Sequence, residues 1–106
     1  MNTERRLTDR LARVFPVYLR CAQETLEVHA LDVSPTGVRI LTPGPLQESD
    51  RFHLELELEP DLRLDVTGQP VWQQELNRAG HCVVGLCFSE ASPRLESWLE
   101  EQRAAA

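Results

Sequence analysis

The chain has 106 residues, 42% of them hydrophobic and 26% charged, with a net charge of −6. That length suits one domain with one core, and the composition is that of an ordinary soluble protein rather than a disordered or membrane one. No apolar run approaches the roughly 20 residues of a membrane-spanning helix, and no apolar stretch near the N-terminus resembles a secretory signal, so a cytoplasmic protein with no membrane insertion is expected.

Residues 1–14 read as an arginine-rich N-terminal arm without a hydrophobic period of its own. The first 20 residues hold five arginines against Glu4 and Asp9, a net charge of +3. The remaining 86 residues hold six arginines against fifteen acids, a net charge of −9. Nucleic-acid binders use an extended basic face, so this acidic body argues against a DNA or RNA partner. It suits a small anion held by a few arginines. All eleven basic residues are arginine, whose planar fork meets a phosphate or a guanine edge bidentately.

From Phe15 to about residue 90 the pattern is one of strands and turns. Val17, Leu19 and Cys21 alternate with polar residues, a Gln23-Glu24 turn follows, and Leu26, Val28 and Ala30 resume the alternation, as in an antiparallel hairpin. Residues 32–37, Asp-Val-Ser-Pro-Thr-Gly, read as a tight turn, after which Val38 to Leu41 form a short strand that Pro43-Gly44-Pro45 ends. Residues 51–59 alternate strictly, with Phe52, Leu54, Leu56 and Leu58 on one face and His53, Glu55, Glu57 and Glu59 on the other. One face is therefore buried and the other wet. Leu62, Leu64 and Val66 continue the pattern beyond a second turn. Gly68 and Pro70 then interrupt it before Val71-Trp72, which predicts a bulge or sharp bend. After a turn at residues 77–80, Cys82, Val84, Leu86 and Phe88 make the last strand.

The period then changes. Ser92 reads as an N-cap and Pro93 as the first helical residue, and Leu95, Trp98 and Leu99 share one face of a short helix over residues 92–104. About six antiparallel strands followed by one helix predict an all-β fold, a small barrel plugged by that helix. Cys21, Cys82 and Cys87 show no Cys-x-x-Cys spacing and read as small buried hydrophobes. The histidines are scattered, so no metal is expected. No Ser/His/Asp or Cys/His arrangement suggests an enzyme.

Two segments carry chemistry. In residues 4–10, Glu-Arg-Arg-Leu-Thr-Asp-Arg, Arg6 and Arg10 lie four apart. They share a face if the segment is helical, and both reach one ligand if it is extended over the barrel. Taken alone, the segment also reads as a solvated arm. In residues 32–37, Asp32 accepts hydrogen bonds, Ser34 donates and accepts, and Gly37 permits a positive φ or a close backbone approach. Taken alone, this is also a common turn between strands.

Together the segments resemble the PilZ domain family, whose pattern is Arg-x-x-x-Arg near the start and Asp/Asn-x-Ser-x-x-Gly between two early strands of a six-stranded antiparallel barrel. Arg6, Arg10, Asp32, Ser34 and Gly37 stand at the five motif positions, and the resemblance extends over essentially the whole chain, 1–106, as a single domain. It implies a receptor for cyclic di-GMP that needs no further cofactor. Arg6 and Arg10 would grip phosphates and guanine edges, and Asp32 and Ser34 would bond a guanine or its ribose. The arm would become ordered around the ligand, passing a signal to a downstream protein in motility, biofilm or related bacterial regulation. Arg5 stands where the family's residue is associated with one ligand or a stacked pair, and an arginine there resembles the pair-binding type. Trp72 is a possible lid for a base, and Arg13 and Arg39 are further possible contacts. The alternative within the same fold is a protein-interaction adaptor that does not depend on nucleotide.

Overall fold

The computed structural model describes residues 10–21 and 23–105. Six antiparallel strands form a closed barrel: β1 (Leu11–Cys21), β2 (Glu24–Ser34), β3 (Gly37–Thr42), β4 (Phe52–Glu59), β5 (Leu62–Glu75) and β6 (Cys82–Phe88). Around the barrel their order is β1-β2-β3-β6-β5-β4, and pairing of β1 with β4 completes the ring. One helix, α1 (Pro93–Ala105), follows.

The core is built from the period-two positions. Val17, Leu19, Val28, Ala30, Leu54, Leu56 and Val84 point inward and are almost wholly buried. Each such Val or Leu contributes about 1.5–3 kcal/mol of transfer free energy. Helix α1 covers the barrel with Leu95, Trp98 and Leu99. The indole Nε1 of Trp98 donates to Glu59 Oε2 at 2.8 Å, and the guanidinium of Arg13 lies 5.2 Å from the ring centroid. At the helix start Ser92 Oγ accepts from the Leu95 amide at 3.3 Å. Ser92→Ala is expected to lower stability by about 1 kcal/mol, read as an earlier urea midpoint at unchanged m-value.

Three irregularities decide which side chains face outward. In β1, Ala12 pairs with Asp32 and Phe15 with Ala30, so Arg13 and Val14 together oppose Leu31. This bulge hides the alternation before Phe15. The barrel consequently begins at Leu11, four residues earlier than expected, and Arg13 and Val14 belong to a strand and not to an arm. In β2, Leu31 is extra relative to β3, since Ala30 pairs with Ile40 and Asp32 with Arg39. In β5, Val71 is extra relative to β6, since Pro70 pairs with Leu86 and Trp72 with Gly85. A bulge inserts one residue and reverses the inside-outside alternation beyond it. Without these two insertions Asp32 would follow Ala30 into the core, and Trp72 would follow Pro70. With them, both side chains lie on the outer face.

The cysteine reading needs correction. Cys82 is buried, but Cys87 is exposed, because it alternates with the inward-facing Leu86 and Phe88.

Candidate ligand-binding site

Only residues 35–36 are turn in the segment read above as one tight turn. Asp32 and Ser34 are among the last residues of β2, and Gly37 opens β3. The two-residue connection sets a symmetric register in which Ser34 faces Gly37, Val33 faces Val38 and Asp32 faces Arg39. Val33 and Val38 point into the core. Asp32 and Arg39 are thereby left side by side outside.

The register continues across five strands. Ala12 on β1 pairs with Asp32, Arg39 pairs with Gly85 on β6, and Gly85 pairs with Trp72 on β5. Gly85 has no side chain to stand between Arg39 and Trp72. A Cβ there would lie 3.6 Å from Trp72 Cε3, so the indole extends across it. A guanidinium and a 43% exposed indole therefore flank one glycine.

Asp32 is only 5% exposed, yet both of its oxygens are satisfied. Arg10 Nη1 donates to Oδ1 at 2.8 Å. Arg39 takes Oδ2, with Nε at 2.8 Å and Nη2 as a second donor. Hydrogen bonding to Asp32 raises the pKa of the Arg39 guanidinium further, outweighing the opposite effect of burial. Two guanidiniums and one carboxylate leave one positive charge on this face. Ser34 Oγ is turned onto its own hairpin, accepting from the Thr36 amide at 3.3 Å. The hairpin is tied to β6 by the Phe88 amide, which donates to the Thr36 carbonyl at 2.9 Å.

A cavity of about 650 Å³ opens over this row, and Arg10, Ser34, Gly37, Arg39, Trp72 and Cys87 are among its walls. A second hollow of about 510 Å³, between Glu59, Asp61 and α1, contains none of the motif residues. Of the residues expected from sequence, Arg10, Asp32, Ser34 and Gly37 come together, with Arg39 and Trp72 beside them. Arg5 and Arg6 lie outside the described residues. Arg13 is not among the cavity walls and stacks on Trp98 instead. Gly37 does not adopt a positive φ, which among the described glycines only Gly80 does. Its need is steric: a Cβ at Gly37 would stand 2.3 Å from the Leu86 carbonyl oxygen.

The cavity walls contributed by Thr36, Gly85 and Cys87 were not expected from sequence, nor was the pairing of Arg39 with Asp32. A two-residue hairpin at residues 35–36 would have predicted that pairing, since it makes residues 32 and 39 opposite neighbours. On the β4–β5 face, Arg63 reaches Glu55 at 3.3 Å and Glu57 at 2.9 Å, so those acids are internally paired and not an open acidic surface. Among the described residues no helix is long and apolar enough to cross a membrane, and no group of three or more His, Cys, Asp or Glu is gathered as a metal site requires.

Fold and site together define a small closed β-barrel bearing an arginine-bracketed carboxylate on its outer wall, beside an open cavity. The model of the PilZ domain matches residues 4–104, and the chain belongs to the PilZ domain family. A comparison with curated proteins found no match. Among solved structures the chain is similar to the inhibitor of motility MotI/DgrA of Bacillus subtilis, with a TM-score of 0.73 at 11% identity over 91% of this chain and 50% of that one. It is also similar to the PilZ domain of Escherichia coli YcgR with c-di-GMP, with a TM-score of 0.65 at 20% identity over 86% of this chain and 82% of that one. A longer YcgR chain in complex with c-di-GMP gives a TM-score of 0.68 at 23% identity, covering 91% of this chain and 43% of that one. The chain thus spans half of MotI and less than half of the longer YcgR chain.

Proposed function

We propose that this chain is a receptor for cyclic di-GMP that passes the binding event to a partner protein. The observation that carries the reading is the buried Asp32 held between Arg10 and Arg39, with the exposed Trp72 across Gly85 at the same cavity. The chemistry matches the ligand group by group. Two phosphodiesters call for guanidinium donors. Guanine offers O6 and N7 as acceptors to an arginine and N–H groups as donors to a carboxylate. A flat base finds a face on Trp72. The similar E. coli YcgR structures hold the same nucleotide. Charge-assisted donors, a carboxylate and an aromatic face are the parts of a binding site, which supports a role in recognition.

Titration of the full chain with cyclic di-GMP, followed by calorimetry and tryptophan fluorescence, tests the reading. Trp98 is buried and Trp72 half-exposed, so the fluorescence change is expected to come from Trp72 and to vanish in Trp72→Phe. Loss of base stacking in Trp72→Ala should weaken binding by about 1–3 kcal/mol, roughly one to two orders of magnitude in Kd. A titration without heat or fluorescence change at concentrations well above micromolar would reject the receptor role and favour the nucleotide-independent adaptor.

A further inference from the structure

The two arginines on Asp32 are not equivalent. Arg39 stands on β3 directly opposite Asp32 in the hydrogen-bonded ladder and holds a single oxygen, Oδ2, through two nitrogens. Arg10 precedes the first residue of β1 and holds Oδ1 through one nitrogen. Its Nε and Nη2 have no partner among the described residues. One bond is anchored by the sheet at both ends, and the other is anchored at one end.

Oδ2 already takes two donors and Oδ1 only one, so the position open to a guanine N–H group is on Oδ1, beside Arg10. When Arg10 turns from Oδ1 to a phosphate, the base can take its place on that oxygen, and the two steps together amount to an exchange. Stripping all partners from a carboxylate this buried would be strongly unfavourable. Resting on the cyclic di-GMP reading, we infer that Arg39 is the positioning residue that makes this exchange possible, keeping Asp32 charged, paired and oriented while Arg10 transfers to the ligand. Lysine cannot fully replace it, because an ammonium lacks the side-on pair of donors that fixes one oxygen and leaves the other free.

Arg39 acts through Asp32, so its effect on binding must depend on the carboxylate. The test is titration with cyclic di-GMP of the wild-type full chain, Arg39→Met, Arg39→Lys, Asp32→Asn and the Asp32→Asn/Arg39→Met pair. Arg39→Met is expected to weaken binding by about tenfold or more, with Arg39→Lys intermediate, while the same Met replacement made on top of Asp32→Asn changes affinity by less than about threefold. Equal losses in both backgrounds would overturn the inference and make Arg39 a direct ligand contact. An unchanged affinity in Arg39→Met would overturn it too, with the receptor reading intact. Absence of binding by the wild type removes both. Should Arg39→Met fail to fold, the comparison passes to Arg39→Lys, which keeps a cation against the buried charge: a loss that Asp32→Asn abolishes supports the inference, and a loss that persists rejects it.

Discussion

Arg10→Ala is expected to abolish most cyclic di-GMP affinity while leaving the barrel nearly as stable as before. Hydrogen bonds to charged groups are worth about 1.5–3 kcal/mol each. Removing the guanidinium that can move to a phosphate should therefore raise Kd by roughly tenfold to more than a hundredfold. The small effect on folding follows from Asp32 itself, which keeps Arg39 as a partner. Arg10 has a side chain about one-third exposed, so water can reach Oδ1 once it is removed and the loss is expected to stay near about 1 kcal/mol. Calorimetric titration alongside urea denaturation separates the two effects. A variant that binds like the wild type would remove Arg10 from the ligand site, and one that unfolds would make it structural.

Gly37→Ala is expected to do the reverse, harming the fold first and binding only in consequence. The added Cβ would meet the Leu86 carbonyl oxygen at 2.3 Å, and that oxygen belongs to the backbone of a paired strand, which cannot swing aside. Overpacking typically costs about 1–3 kcal/mol, and a rigid obstacle puts this site at the upper end. For a domain of this size that is a fall in Tm of roughly 10 °C or more. Gly44→Ala is the control, since nothing lies within 4 Å of its missing Cβ. A Gly37→Ala protein with unchanged melting but lost binding would show that the motif glycine serves the ligand after all. Its closeness to Leu86 supports a task in the fold, holding β3 against β6 so that Arg39 and Gly85 stay in register.

The strands that could be read from sequence are those whose alternation is unbroken. β4, with Phe52, Leu54, Leu56 and Leu58, and β6, with Cys82, Val84, Leu86 and Phe88, declare both their span and their buried face. The helix was equally legible from Ser92, Pro93 and the Leu95-Trp98-Leu99 spacing. The bulges in β1 and at Leu31 were not. A single inserted residue at Leu31 or Val71 leaves composition and propensity untouched but changes which side every following residue faces. Hence the outward turn of Asp32 and Trp72 emerged only from the register. The Val71 irregularity was foreseeable from Gly68 and Pro70, but its consequence for the tryptophan was not. The motif residues Arg10, Asp32, Ser34 and Gly37 were legible as a set. That Ser34 bonds within its own hairpin and Gly37 lies close against β6 depends on backbone contacts no motif states.

Because β1 pairs with β4, the ring of main-chain hydrogen bonds has no end. Among the described residues every strand has a neighbour on each side, so β-augmentation, a common way of capturing a peptide, is confined to the stretches that outrun their neighbours, such as residues 24–28 of β2 beyond β3. Over the rest of the wall recognition rests on side chains. A ligand that rearranges a few side chains on one wall can therefore redraw the surface a partner reads without opening the barrel.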